Sequence, residues 1–128
     1  MSYNITRKTK GDFDAAVARV KDALKTEGFG VLTEIDVAGT LKAKIGKDFR
    51  PYRILGACNP NYAFEALSEE PHIGVMLPCN VIVQRFENGE IEVSSIDPAV
   101  TMRSVGNARL EGVASKVRDA LSRVIARI

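Results

Sequence analysis

The chain contains two thiols, and each is followed by asparagine. Cys58 stands in "GACNPNYAFEAL" and Cys79 in "LPCN". Asn59-Pro60 marks a helix entrance: asparagine caps, and a proline at the first helical position needs no backbone N–H. Cys58 therefore lies just ahead of a helix N-terminus, which carries roughly half a positive charge. A thiolate is stabilised there, so Cys58 is a candidate reactive thiol or soft metal ligand. Arg50 and Arg53 are close in sequence and add to the effect. The plainer alternative is a small buried apolar side chain, because free cysteine is among the most buried residue types. Cys79 falls at the mouth of a hairpin. With the strand that ends at Cys58 beside that hairpin, both sulfurs reach one end of the sheet, near Asn80 and Asp97. The expected site is a pocket of Cys58, Asn59, Cys79, Asn80 and Asp97 for a small-molecule or anionic ligand. The structural alternative has the asparagines capping and bridging while the cysteines pack.

Other residues offer weaker chemistry. Glu34 and Asp36 share a strand face about 7 Å apart, a spacing that suits two carboxylates flanking a bound group. It equally suits an exposed face on which Asp36 caps the next helix. Glu34 and Arg53 join the expected ligand set. His72 is the only histidine. With two thiols and a carboxylate it would complete a zinc- or copper-type centre, although "EEPHIGV" reads as a solvated turn. Lys42, Lys44, Lys47, Arg50 and Arg53 lie against one acid, Asp48, and form either an anion-binding rim or a solvated face. No Gly-rich phosphate loop and no hydrolase triad is visible.

The elements that must position these groups follow from patterning. Residues 3–10 read as a strand. Asp12 caps a helix whose stripe is Phe13, Ala16, Val17, Val20 and Leu24, and Gly28 stops it. Residues 29–37 alternate as a strand, with Leu32, Glu34 and Asp36 on one face and Val31, Thr33 and Ile35 on the other. A short helix follows, with Leu41 and Ile45 inward, ending at Gly46. Residues 51–58 form the next strand. The helix from Pro60 runs to about Glu69 and turns Ala63, Ala66 and Leu67 inward. Asn88-Gly89 predicts a two-residue hairpin turn. That register sets Phe86 opposite Ile91, Gln84 opposite Val93, Arg85 opposite Glu92 and Asn80 opposite Asp97. It leaves Val81, Val83 and Ile96 on a second apolar face, which a homodimer partner, a ligand or a loop would cover. Asn107 caps a last long helix with the stripe Leu110, Val113, Ala114, Val117, Leu121, Val124, Ile125 and Ile128. The expected fold is α+β: a mainly antiparallel sheet with helices packed on one face.

The 128 residues suit a single domain, 1–128. Hydrophobic residues are 45% and charged residues 27%, as in ordinary globular proteins. A net charge of +2 and 6% aromatics argue against a nucleic-acid partner. No apolar run approaches the roughly 20 residues needed to span a bilayer, and "MSYNITRKTKGDF" lacks the apolar core of a signal peptide. A cytoplasmic location with reduced thiols is the expectation.

Together "EGFGVLTEIDV", "PYRILGACNP", "LPCNVIV" and the late "IDP" resemble domain of unknown function 302 (DUF 302), a small bacterial and archaeal family. The resemblance spans nearly the whole chain. It carries Glu34, Asp36, Arg53, Cys58, Asn59, Pro60, Pro78, Cys79, Asn80, Asp97 and Pro98. It implies a compact α+β fold similar to the TATA-binding-protein-like superfold, and no activity. Three functional expectations remain: a ligand- or metal-binding module at the Cys58/Cys79 end, a thiol-dependent enzyme or redox protein using Cys58, and a homo-oligomeric interaction module with inert cysteines.

Overall fold

The computed structural model describes residues 2–128. Five strands form one sheet: β1 (Asn4–Thr9), β2 (Gly30–Asp36), β3 (Tyr52–Cys58), β4 (Cys79–Arg85) and β5 (Ile91–Ile96). Their spatial order is β1-β5-β4-β3-β2, and every neighbouring pair is antiparallel. Among the described residues five α-helices accompany them: α1 (Phe13–Thr26), α2 (Val37–Ile45), α3 (Pro60–Glu69), the single turn α4 (Pro98–Thr101) and α5 (Glu111–Ala126). The mixed α+β class and the antiparallel sheet are as the patterning predicts.

Helices α1 and α5 lie against each other and against the sheet. Their stripes, among them Val17, Val20 and Leu24 from α1 and Val117, Leu121 and Val124 from α5, join Leu55, Val81, Val83, Ile91 and Val93 in one buried cluster. The N-terminus of α1 forms as its sequence requires, with Asp12 accepting from Ala15 N at 2.8 Å. Between α3 and α5 the chain makes short 3-10 turns that periodicity does not reveal, at Pro71–Met76, Met102–Val105 and Ala108–Leu110. Asn107 caps the last of these through Arg109 N at 3.0 Å, so α5 itself begins at Glu111, later than predicted. Leu41 of α2 is half-buried, but Ile45 is exposed rather than inward.

The hairpin register differs from the predicted one by a residue. Val83 faces Val93, Gln84 faces Glu92 and Arg85 faces Ile91. A two-residue type I′ turn requires positive φ at both central positions. Here Gly89 has φ +86°, and among the described residues no non-glycine residue has positive φ. The loop is therefore three residues, 87–89, closed by Gly89 N to Phe86 O at 2.9 Å and Phe86 N to Glu90 O at 2.9 Å. A one-residue shift exchanges the two faces of a strand. Val81 and Val83 accordingly point into this chain's own core and are fully buried. Val81 and Val83 are covered by this chain's own core and need no partner to cover them. Arg85 is not opposite Glu92, and Asn80 is not opposite Asp97.

Strand β2 holds a second irregularity. Val31 pairs with Ala57 and Thr33 with Gly56, which leaves Leu32 as an extra, bulged residue. Val31 thus joins the face of Glu34 and Asp36, and Leu32 has no partner on β3.

Candidate functional site

Cys58 ends β3 and Cys79 begins β4, and the two strands are neighbours in the sheet. Cys79 pairs directly with Ala57. Asn59 caps α3, its Oδ1 accepting from Asn61 N at 3.2 Å. Its Nδ2 donates to Glu27 O at 3.1 Å, which ties the start of α3 to the end of α1. That contact leaves no room at Gly28, where an added Cβ would lie 2.9 Å from Asn59 Nδ2.

Cys58, Asn59 and Cys79 line one hollow of about 290 Å³. Ala63, Ala66 and Leu67 of α3 form one wall, and Val113 and Val117 of α5 another. Phe29, Tyr62, Leu77, Pro78 and Met102 contribute further apolar surface, and the bulged Leu32 stands at the edge. Fifteen residues line the hollow and none is charged. Of the predicted α3 stripe, Ala66 is buried and Ala63 half-buried, but Leu67 is 44% exposed at the rim rather than inward. Leu32, Met102, Val113 and Val117 were not legible in the sequence, because a bulge and long-range packing bring them there.

The two thiols differ. Cys58 is half-buried and Cys79 buried. Burial pushes the Cys79 thiol up to about 11, with a smaller contribution from the nearby Cys58. Cys79 thus stays protonated at neutral pH, as a soft, nearly apolar wall.

The other expected ligand residues lie elsewhere. Asn80 is exposed and opposite Gly56. Asp97 is 6% exposed and bound within the protein. Its Oδ1 accepts from Ala99 N at 3.1 Å, capping α4, and its Oδ2 accepts from Arg118 Nε at 3.1 Å. Glu34 is held by Lys21 at 2.5 Å and by Arg53 at 2.5 Å, and Asp14 lies 3.8 Å from Arg53. Asp36 caps α2 through Gly39 N at 3.0 Å. The Glu34–Asp36 pair is thus an ion-pair anchor beside a helix cap, not two free carboxylates. His72 is exposed, 3.6 Å from Glu70. Among the described residues, no group of three or more His, Cys, Asp and Glu side chains is placed to hold a metal ion.

The ion pairs carry a pH dependence. Hydrogen bonds from Lys21 and then Arg53 hold Glu34 below its ordinary 4.5, against a smaller opposing effect of burial. Glu27 is lowered in the same way, chiefly by its hydrogen bond from Arg123. A carboxyl whose folded pKa is depressed stabilises the fold above its unfolded pKa. That contribution is lost as pH falls through the lower folded value. Stability should therefore decline as pH drops below 4.5. Glu34→Gln should make the decline shallower, as read from urea denaturation midpoints across that range. An unchanged slope would show that the Glu34 pairs contribute nothing.

Fold and site together define a small α+β protein with an uncharged hollow at one end of an antiparallel sheet. The family described as Domain of unknown function DUF302 matches residues 5–128, and the chain belongs to it. A solved structure titled "Crystal structure of uncharacterized conserved protein DUF302 from Bacillus stearothermophilus" is similar throughout. It has 30% identity, a TM-score of 0.92 and coverage of 99% of this chain and 98% of that one. No curated protein matches the chain. No helix among the described residues is long and apolar enough to cross a membrane.

Proposed function

We propose that the chain is a binding module for a small, uncharged, mostly apolar molecule held in the hollow beside Cys58 and Cys79. The observation that supports this reading is the wholly uncharged lining of a space of about 290 Å³. Small-ligand sites begin at about 300 Å³ and are lined mainly by apolar side chains with few polar groups. An ion placed there would lose hydration and gain no partner, at a cost of several kcal/mol or more. Asn59, whose amide is already committed to helix cap and Glu27, offers little to an anion.

The test is fluorescence titration with N-phenyl-1-naphthylamine, which brightens in apolar surroundings. Saturable enhancement at one probe per chain is expected. Ala63→Phe projects a ring from the α3 wall and should weaken binding at least about tenfold, or 1.4 kcal/mol. Absent saturation, or affinity unaffected by Ala63→Phe in a variant that melts like the parent, would overturn the reading.

Thiol chemistry is the second reading, favoured by one observation: the half-buried Cys58 borders the same hollow. It needs an acid or base at hand, and no charged side chain lines the hollow.

A further inference from the structure

Gly46 ends α2, and the chain crosses to β3 alongside the tip of the β4–β5 hairpin. Arg85 N donates to Pro51 O at 3.0 Å and pins that crossing to the end of β4. Between them lies a second hollow, of about 660 Å³, bordered by Phe49, Arg50, Arg85 and Phe86.

Arg50 is held from several sides. Its guanidinium carbon is 4.5 Å from the centre of the Phe49 ring, 5.1 Å from Phe86 and 5.6 Å from Tyr52. Its Nε donates to Gln84 Oε1 at 2.9 Å, and Gln84 is itself buried at 8% exposure. The three rings attract the cation, and the buried amide sets its plane. Among the described residues, the terminal nitrogens of Arg50 have no acceptor, and the Arg85 side chain has no hydrogen bond or ion pair. A solvated surface arginine must surrender side-chain freedom to bind a ligand; Arg50 has already done so.

Two carboxylates border the same hollow, Asp48 and Glu87. Asp48 is engaged by Lys42 at 2.9 Å, and both Arg50 and Arg85 border the hollow with Glu87. Of the basic run in the sequence, Lys42 is paired on the surface with Asp48 and Arg53 with Glu34, and Arg50 is the member that lines this hollow.

We propose that this hollow is a binding site for an aromatic oxyanion, an aryl carboxylate or aryl phosphate. The planar fork of Arg50 matches two oxygens of such a group, and Arg85 supplies the second cation. The ligand ring lies against Phe49 and Phe86. The site is independent of the uncharged hollow near Cys58, and either stands without the other.

Phenyl phosphate and benzoate are the probes, with benzyl alcohol as the neutral control. Nitrogen-resolved NMR reads the Arg50 Nε–H signal and the amides of Gly89 and Gly11, which also line this hollow. A saturable shift is expected with at least one anion and none with benzyl alcohol. The tighter of the two anions identifies the group recognised. Arg85→Gln should weaken binding about tenfold, the scale of a lost charge-assisted hydrogen bond. Glu87→Gln, which removes the competing carboxylate, should tighten it severalfold. Both variants leave the Arg50 cage untouched, so neither depends on refolding that loop. Absence of a saturable shift with either anion, an equal shift with benzyl alcohol, or unchanged affinity in Arg85→Gln would each overturn the assignment.

Discussion

At pH 8 the native protein should show one thiol that reacts promptly with a disulfide reagent and a second that lags by more than about a hundredfold. The slow one is Cys79. Burial holds it near 11, so about one molecule in a thousand carries the reactive thiolate at that pH. An ordinary cysteine, at about 8.5, would have roughly a quarter of its thiol ionised. Cys79 is also only 8% exposed, so reagent access slows it further. Cys58, half-buried at the same hollow, is the prompt one. Cys58→Ser should remove the fast phase and leave the slow phase, and denaturant should make both thiols in the parent equally fast. Two prompt thiols in the native protein would contradict the buried position of Cys79. The same assay bears on the hollow, since a bound guest should slow Cys58 in proportion to occupancy.

Gly56→Ala should destabilise the protein by about 3 kcal/mol, the upper range for forcing extra atoms into a packed site. Gly56 is buried in the middle of β3, opposite Thr33 on one side and Asn80 on the other. A Cβ there would lie 2.1 Å from Thr33 Oγ1 and 2.8 Å from Pro78 Cγ. Its φ is not positive, so space rather than backbone freedom demands the glycine. The Thr33 hydroxyl can be removed by Thr33→Ala, whereas the Pro78 ring cannot turn aside. Gly56→Ala with Thr33→Ala should therefore recover part of the loss and not all of it, a coupling that a double-mutant cycle measures. Equilibrium denaturation showing Gly56→Ala within about 0.5 kcal/mol of the parent would refute the close approach.

Much of the fold was legible because its signals are local. The stripe from Phe13 to Leu24, the Asn59-Pro60 helix start and the alternating strands each declare themselves within a few residues. What escaped was decided by dihedral angles that residue types leave open. Asn-Gly serves a two-residue turn with both residues at positive φ, or a longer one in which only glycine is. Here Asn88 keeps negative φ and its Oδ1 accepts from Glu90 N at 2.9 Å, which favours the longer loop. The bulge at Leu32 has no marker in sequence at all.

The site inherited both successes and errors. The two sulfurs were rightly placed at one end of the sheet because β3 and β4 are adjacent. Asp97 was drawn into the pocket by the mistaken register. In the structure it is spent on Arg118 and the α4 cap, with its backbone N–H bonded to Tyr3 O at 2.8 Å. The opposite walls of the hollow, from α5 and Met102, come from more than twenty residues further along the chain, beyond what periodicity reports.

The hairpin tip has a further meaning. Side chains on a strand alternate sides, so a connecting loop sets parity: an odd or even number of residues between β4 and β5 decides which set lies beneath the helices. Three residues beyond the Phe86–Glu90 closure put Val81 and Val83 on the side of Ile91 and Val93; two would put Ile82 and Gln84 on that side instead. The count of amino acids at that exposed tip, more than the chemistry of any one of them, therefore selects the interior of a molecule whose centre lies far away.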